Sequence, residues 1–139
     1  MNPINQDTFQ RLDKRISSKI DDGDLIVDLS AIIRNNIKFT PRPYQEEAFT
    51  ALTYYLNNPR LRAKPTQILF HMATGSGKTL VMAGAILELY KIGYRNFIFF
   101  VNTDTIIRKT KENFLNKQSS KYLYNDQINI DGVNIKISE

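Results

Sequence analysis

The 139-residue sequence predicts an α/β fold: parallel strands joined through a helix, with a helical leader before them and a β-hairpin after. Three observations carry that prediction. The apolar run Ile68-Leu69-Phe70, a glycine-rich loop and the mostly apolar stretch Leu80 to Tyr90 follow one another in the order strand, loop, helix. A second apolar run, Phe97-Ile98-Phe99-Phe100-Val101, lacks alternation, as strands covered on both faces do, and a crossover of this length implies a right-handed parallel βαβ unit. Finally, Ile128 to Ile137 alternates β-branched and polar residues on both sides of Asp131-Gly132, the pattern of a hairpin with a type I′ turn.

Phe9, Leu12, Ile16 and Ile20 recur at helical spacing up to Asp21-Asp22-Gly23. Leu25, Leu29, Ile32 and Ile33 fit a second helix. Residues 1–40 thus form a helical leader without a catalytic pattern, a packing or partner element. Thr40-Pro41-Arg42-Pro43 breaks the chain, and residues 41–139 form the second unit. Pro43 suits the first turn of a helix that has Tyr44, Ala48, Ala51, Leu52 and Tyr55 on one face and ends before Asn57-Asn58-Pro59. Arg60, Arg62 and Lys64 form a basic linker into the strand Gln67 to His71. Gly93 can stop the helix after the loop in the left-handed conformation. Thr103 can cap the next helix, whose apolar positions Ile106, Ile107, Thr110 and Phe114 leave Arg108, Lys109 and Lys111 on other faces.

Composition narrows the chemistry. With no cysteine, disulfides, thiolate metal sites and a cysteine nucleophile are excluded. The one histidine, His71, cannot form a histidine cluster and reads as a packed or hydrogen-bonded structural residue. No apolar run approaches the roughly 20 residues of a membrane span, and the expected location is cytoplasmic. The net charge of +5 lies wholly in residues 41–139, which fits a polyanionic partner in addition to a nucleotide.

Met72-Ala73-Thr74-Gly75-Ser76-Gly77-Lys78-Thr79 carries the sharpest signal. Glycines let backbone N–H groups turn toward a polyphosphate without Cβ clashes, and the following helix adds the positive end of its dipole. Thr74, Gly75, Ser76 and Gly77 would cradle the phosphates, Lys78 would sit on the β- and γ-phosphates of ATP, and Thr79 would offer its hydroxyl to Mg²⁺. Met72 stands where the strict pattern has its first glycine.

Together with this loop, Arg42-Pro43-Tyr44-Gln45 ahead of it and Phe99-Phe100-Val101-Asn102-Thr103 after it resemble the first motor domain of superfamily two helicases, and in particular the helicase part of type III restriction enzyme Res subunits. The resemblance covers about residues 38–137. It implies a partial RecA-like P-loop NTPase motor domain that binds ATP and Mg²⁺. Arg42 and Gln45 would serve the nucleotide, with the Gln45 amide reading adenine. Asn102 and Thr103 would contact a DNA backbone, with Arg108 and Lys109 as neighbours, Thr103 acting as a plain helix cap, a phosphate contact or both. Implied partners are the remaining motor and nuclease domains of a longer chain and a modification subunit, with no membrane.

One departure stands out. Hydrolysis in that family needs a strand ending in Asp-Glu and an arginine from a second motor domain, and no Asp-Glu pair occurs in the sequence. Asp104 follows the second strand but belongs to the first turn of the next helix. The expectation is an N-terminal piece of a larger motor, cut before its hydrolytic carboxylates and inactive alone. Other P-loop enzymes such as a small kinase, and a nucleotide- or DNA-binding module that never hydrolyses ATP, stay open as alternatives.

Overall fold

Prolines, glycines and capping hydroxyls decide where the helices of this chain begin and end. The computed structural model describes the backbone of residues 6–139 and the side chains from residue 14 onward. Helix α1 (Gln6–Asp21) matches the helical spacing of the leader, with Ile16 buried and Ile20 half-buried. The side chains of Phe9 and Leu12 lie outside the described residues.

Helix α2 (Ala31–Asn36) is shorter than the spacing of Leu25 to Ile33 suggests. Competing hydrogen bonds explain the difference. Ser30 caps the helix by accepting from the Ile33 N–H, and its hydroxyl donates to the buried Glu88 carboxylate. The Thr50 hydroxyl holds both the N–H and the carbonyl of Asp28, at 3.1 and 3.0 Å, so this stretch is tied to its neighbours rather than to itself.

Helix α3 (Pro43–Leu56) starts and stops where the prolines and asparagines predict. Its buried face differs from the expected one. Leu52 and Tyr55 are buried as expected and Ala48 and Ala51 half-buried, but Gln45, Phe49, Thr50 and Leu56 also point inward and Tyr44 is 40% exposed, so the stripe is rotated away from Tyr44. Helix α4 (Lys78–Lys91) ends at Gly93 as expected. Gly93 has φ 111°, and the bonds Gly93 N–H to Tyr90 O and Tyr94 N–H to Leu89 O close a Schellman motif. Helix α5 (Asp104–Leu115) is capped by Thr103, whose hydroxyl accepts from Ile106 N–H. Phe114 is buried, but Ile106 and Ile107 are exposed, against the expected apolar face.

Strands β1 (Ile128–Ile130) and β2 (Val133–Ile135) pair antiparallel, Ile128 opposite Ile135 and Ile130 opposite Val133. Asp131 and Gly132 both have positive φ, 52° and 82°, as a type I′ turn requires. Ile128 and Ile130 face inward, and the hairpin follows its sequence pattern.

The parallel pair is the main correction. Among the described residues the hairpin is the only sheet. Residues 67–71 and 97–101 form no strand, and no backbone hydrogen bond joins them to each other or to β1 and β2. A run of apolar residues specifies a strand only when a neighbouring backbone accepts its ladder. These two meet none, and Ile98 and Phe100 stand 78% and 91% exposed.

The core gathers Ile33 of α2, Phe49 of α3, Val81 and Leu87 of α4, Phe114 of α5, Tyr124 and the inward hairpin residues. Helices α3 and α4 approach closely where Gly84 faces the Phe49 ring: a Cβ at 84 would fall 2.3 Å from it. That contact seats α4 against α3 and fixes where the loop before α4 lies.

Candidate functional site

The loop 72–79 turns because its glycines accept conformations other residues resist. Gly75 and Gly77 both have φ 78°, and Gly77 is the left-handed residue that opens α4. The Ser76 N–H and hydroxyl both bond the Ala73 carbonyl, at 3.2 and 2.7 Å, and Leu80 N–H bonds Gly77 O. The N–H groups of Lys78 and Thr79, in the first turn of α4, precede any intrahelical acceptor. Thr74, Gly75, Gly77 and Lys78 are exposed, and Ser76 and Thr79 half-buried. Lys78 folds back across the loop, its ammonium donating to Met72 O and Ala73 O at 2.8 Å each.

The start of α3 is fastened to this loop. Gln45 is buried, its amide oxygen accepting from Arg42 N–H at 2.9 Å and its Nε2 donating to Ser76 O at 2.9 Å. A Cβ on residue 77 would fall 2.5 Å from that Nε2 and displace the Gln45 amide, and the φ of 78° itself favours glycine there. Tyr44 donates to the same Ser76 carbonyl at 2.8 Å and accepts from Arg42 Nη1 at 3.2 Å. The structure therefore brings Arg42, Gln45, Ser76 and Gly77 together with Lys78 and Thr79. In this arrangement both polar ends of Gln45 serve the helix start and the loop.

Asn102, Thr103, Arg108 and Lys109 lie elsewhere, at the start and on the outer side of α5. All four are exposed, and among the described residues no hydrogen bond ties them to the loop. The Thr103 cap uses its oxygen as acceptor and leaves the hydroxyl proton free to donate. Asp104 occupies the first turn of α5, as its place after Thr103 predicts. His71 is exposed rather than packed, because the strand meant to bury it does not pair. Tyr44, too, is misassigned by the sequence pattern. Helical spacing puts it on the apolar face, although its position between Arg42 and Gln45 already ties it to the same element.

Tyr44, His71, Ala73 and Ser76 also line an open cleft of about 790 Å³, together with Leu52 and Tyr55 of α3 and Ile16 of α1. No helix among the described residues is long and apolar enough to cross a membrane.

Comparison with known proteins gives this site its context. The family model described as the type III restriction enzyme, res subunit, matches residues 38–138. The chain is similar to the probable type III restriction-modification enzyme HindVIP Res subunit of Haemophilus influenzae, 36% identical over 106 residues. The match takes in 72% of this chain and 21% of the length of that relative. No solved structure matches the chain.

Proposed function

The chain belongs to the type III restriction enzyme Res subunit family, and from that premise we propose that residues 72–79 hold the phosphates of Mg-ATP for an ATP-dependent DNA helicase or translocase of a restriction-modification system. One observation carries the reading. Gln45 and Ser76, 31 residues apart, meet at a hydrogen bond, so the two segments that a nucleotide would bridge already form one site. The residues present fit the ligand. Backbone donors at the start of α4, the Lys78 ammonium and the Thr79 hydroxyl are the donor set that a polyphosphate with Mg²⁺ takes up.

In this reading the loop binds triphosphate through Thr74 to Thr79, and Lys78 exchanges its carbonyl partners for phosphate oxygens. Gln45 turns its amide toward adenine, with Arg42 beside it. Asn102, Thr103, Arg108 and Lys109 supply contacts to the DNA backbone at a second place, reached by salt-sensitive attraction. The hydrolytic Asp-Glu pair, missing from these residues, comes from further polypeptide, as do the second motor and nuclease domains. A modification subunit completes the cytoplasmic assembly.

The absence of that pair also favours a narrower role for these residues, binding without turnover. The test compares the 139-residue chain with a longer polypeptide that contains an Asp-Glu strand and a second motor domain. The longer protein should turn over ATP at a rate raised by DNA and abolished by Lys78→Ala, while the short chain binds ATP and stays at background. Turnover by the short chain that rises with DNA and falls on Lys78→Ala would overturn this, and make a carboxylate such as Asp104 the metal ligand.

A further inference from the structure

Resting on the nucleotide-binding reading above, we propose that the Tyr44 hydroxyl is a positioning residue that sets the phosphate loop independently of the base. Ser76 O receives two donors, Tyr44 Oη at 2.8 Å and Gln45 Nε2 at 2.9 Å. The Ser76 carbonyl and the Gly77 N–H belong to one trans planar peptide and point in opposite directions. Whatever holds the carbonyl toward α3 therefore turns the Gly77 N–H away from α3.

The two holders are not equivalent. Turning the Gln45 Nε2 toward a base takes it off the loop, where its two protons lie on Ser76 O at 2.9 Å and Gly77 O at 3.4 Å. Once the amide leaves, Tyr44 alone keeps the carbonyl in place. Its hydroxyl is well suited to hold on. It accepts from the Arg42 guanidinium at 3.2 Å while it donates to Ser76, so a cation strengthens the donor. Gly77, with φ 78° and no Cβ, lets the peptide be set in this way. Tyr44 touches neither phosphate nor base in this scheme; it acts through the loop.

The distinction can be measured by titrating the 139-residue chain and its Tyr44→Phe, Gln45→Ala and Lys78→Ala variants with Mg-ATP, Mg-GTP and Mg-tripolyphosphate. Tyr44→Phe keeps the ring, and the residue is 40% exposed, so the melting midpoint should not move. Its affinity should fall by about threefold to tenfold, the effect of one neutral hydrogen bond, and by the same factor for all three ligands. Gln45→Ala should instead lose more for ATP than for GTP. In the ¹⁵N spectrum, the shift of the Gly77 amide on adding tripolyphosphate should shrink in Tyr44→Phe.

Unchanged affinities and an unchanged Gly77 shift in Tyr44→Phe, beside a weakened Lys78→Ala, overturn the role of Tyr44 and leave the nucleotide site standing. A loss in Tyr44→Phe confined to ATP also overturns it, placing Tyr44 at the base. If the parent chain binds none of the three ligands, both the nucleotide reading and this role fall.

Discussion

Lys78 closes the loop upon itself, and that sets the size of its contribution. Two of its three ammonium protons lie on the Met72 and Ala73 carbonyls, so a phosphate has to displace bonds already made. The net gain is a charge-assisted contact minus two ordinary ones, at the lower end of the roughly 1.5–3 kcal/mol range for bonds to charged groups. Lys78→Ala should therefore weaken Mg-ATP binding by about tenfold. Calorimetric titration of the two proteins checks this, and equal affinities would sink the assignment. Side-chain chemistry makes this part of the site legible in the sequence: glycines at 75 and 77, an ammonium at 78 and a hydroxyl at 79 announce their use by type. Tyr44 is not legible in the same way. Its partner is a main-chain carbonyl 32 residues onward, and carbonyls are carried by every residue alike.

At the scale of elements, the seat of α4 on α3 rests on one missing side chain. Gly84 lies in mid-helix, where alanine would ordinarily be preferred by about 1 kcal/mol. Here a methyl group would press into the ring of Phe49, which is fully buried and has no free space to move into. Overpacking of this kind costs roughly 1–3 kcal/mol, enough to outweigh the gain in helix propensity. Gly84→Ala should lower the urea midpoint with little change in slope, and a variant at least as stable as the parent would show that the helices can spread without cost. Helix ends are readable from sequence because Pro43, Asn57, Gly93 and Thr103 act locally, within a turn of their own position. The inward face of α3 and the pairing of residues 67–71 and 97–101 depend on what lies alongside, and composition carries no record of a lateral neighbour.

Beyond the single elements, the core ties α2 to the C-terminal end through α4. Tyr124 lies at its centre, fully buried, donating to Ala83 O at 3.2 Å. Burial pushes its phenol pKa well above the usual 10.0, with nearby Tyr122 adding to the rise. Tyr122 is raised as well, by burial and then by the Asp126 carboxylate. A folded-state pKa above the unfolded one means that stability is fully present below about pH 10 and declines as the pH climbs beyond it toward the folded value. Thermal midpoints should hold level up to about pH 10 and drop above it, and Tyr124→Phe should make that drop shallower. An equally steep drop in the variant would put the alkaline weakness elsewhere. A different consequence follows from Asn36, whose buried amide bonds the N–H and carbonyl of Asn129, 93 residues away. Bringing such distant points together costs about 4 kcal/mol of chain entropy, so the clasp is expected to close after the local turns of the helices and the hairpin. Such a late contact would be absent from the folding barrier, so Asn36→Ala should speed unfolding more than it slows folding, and a slowed folding arm with unchanged unfolding would show that the clasp forms early.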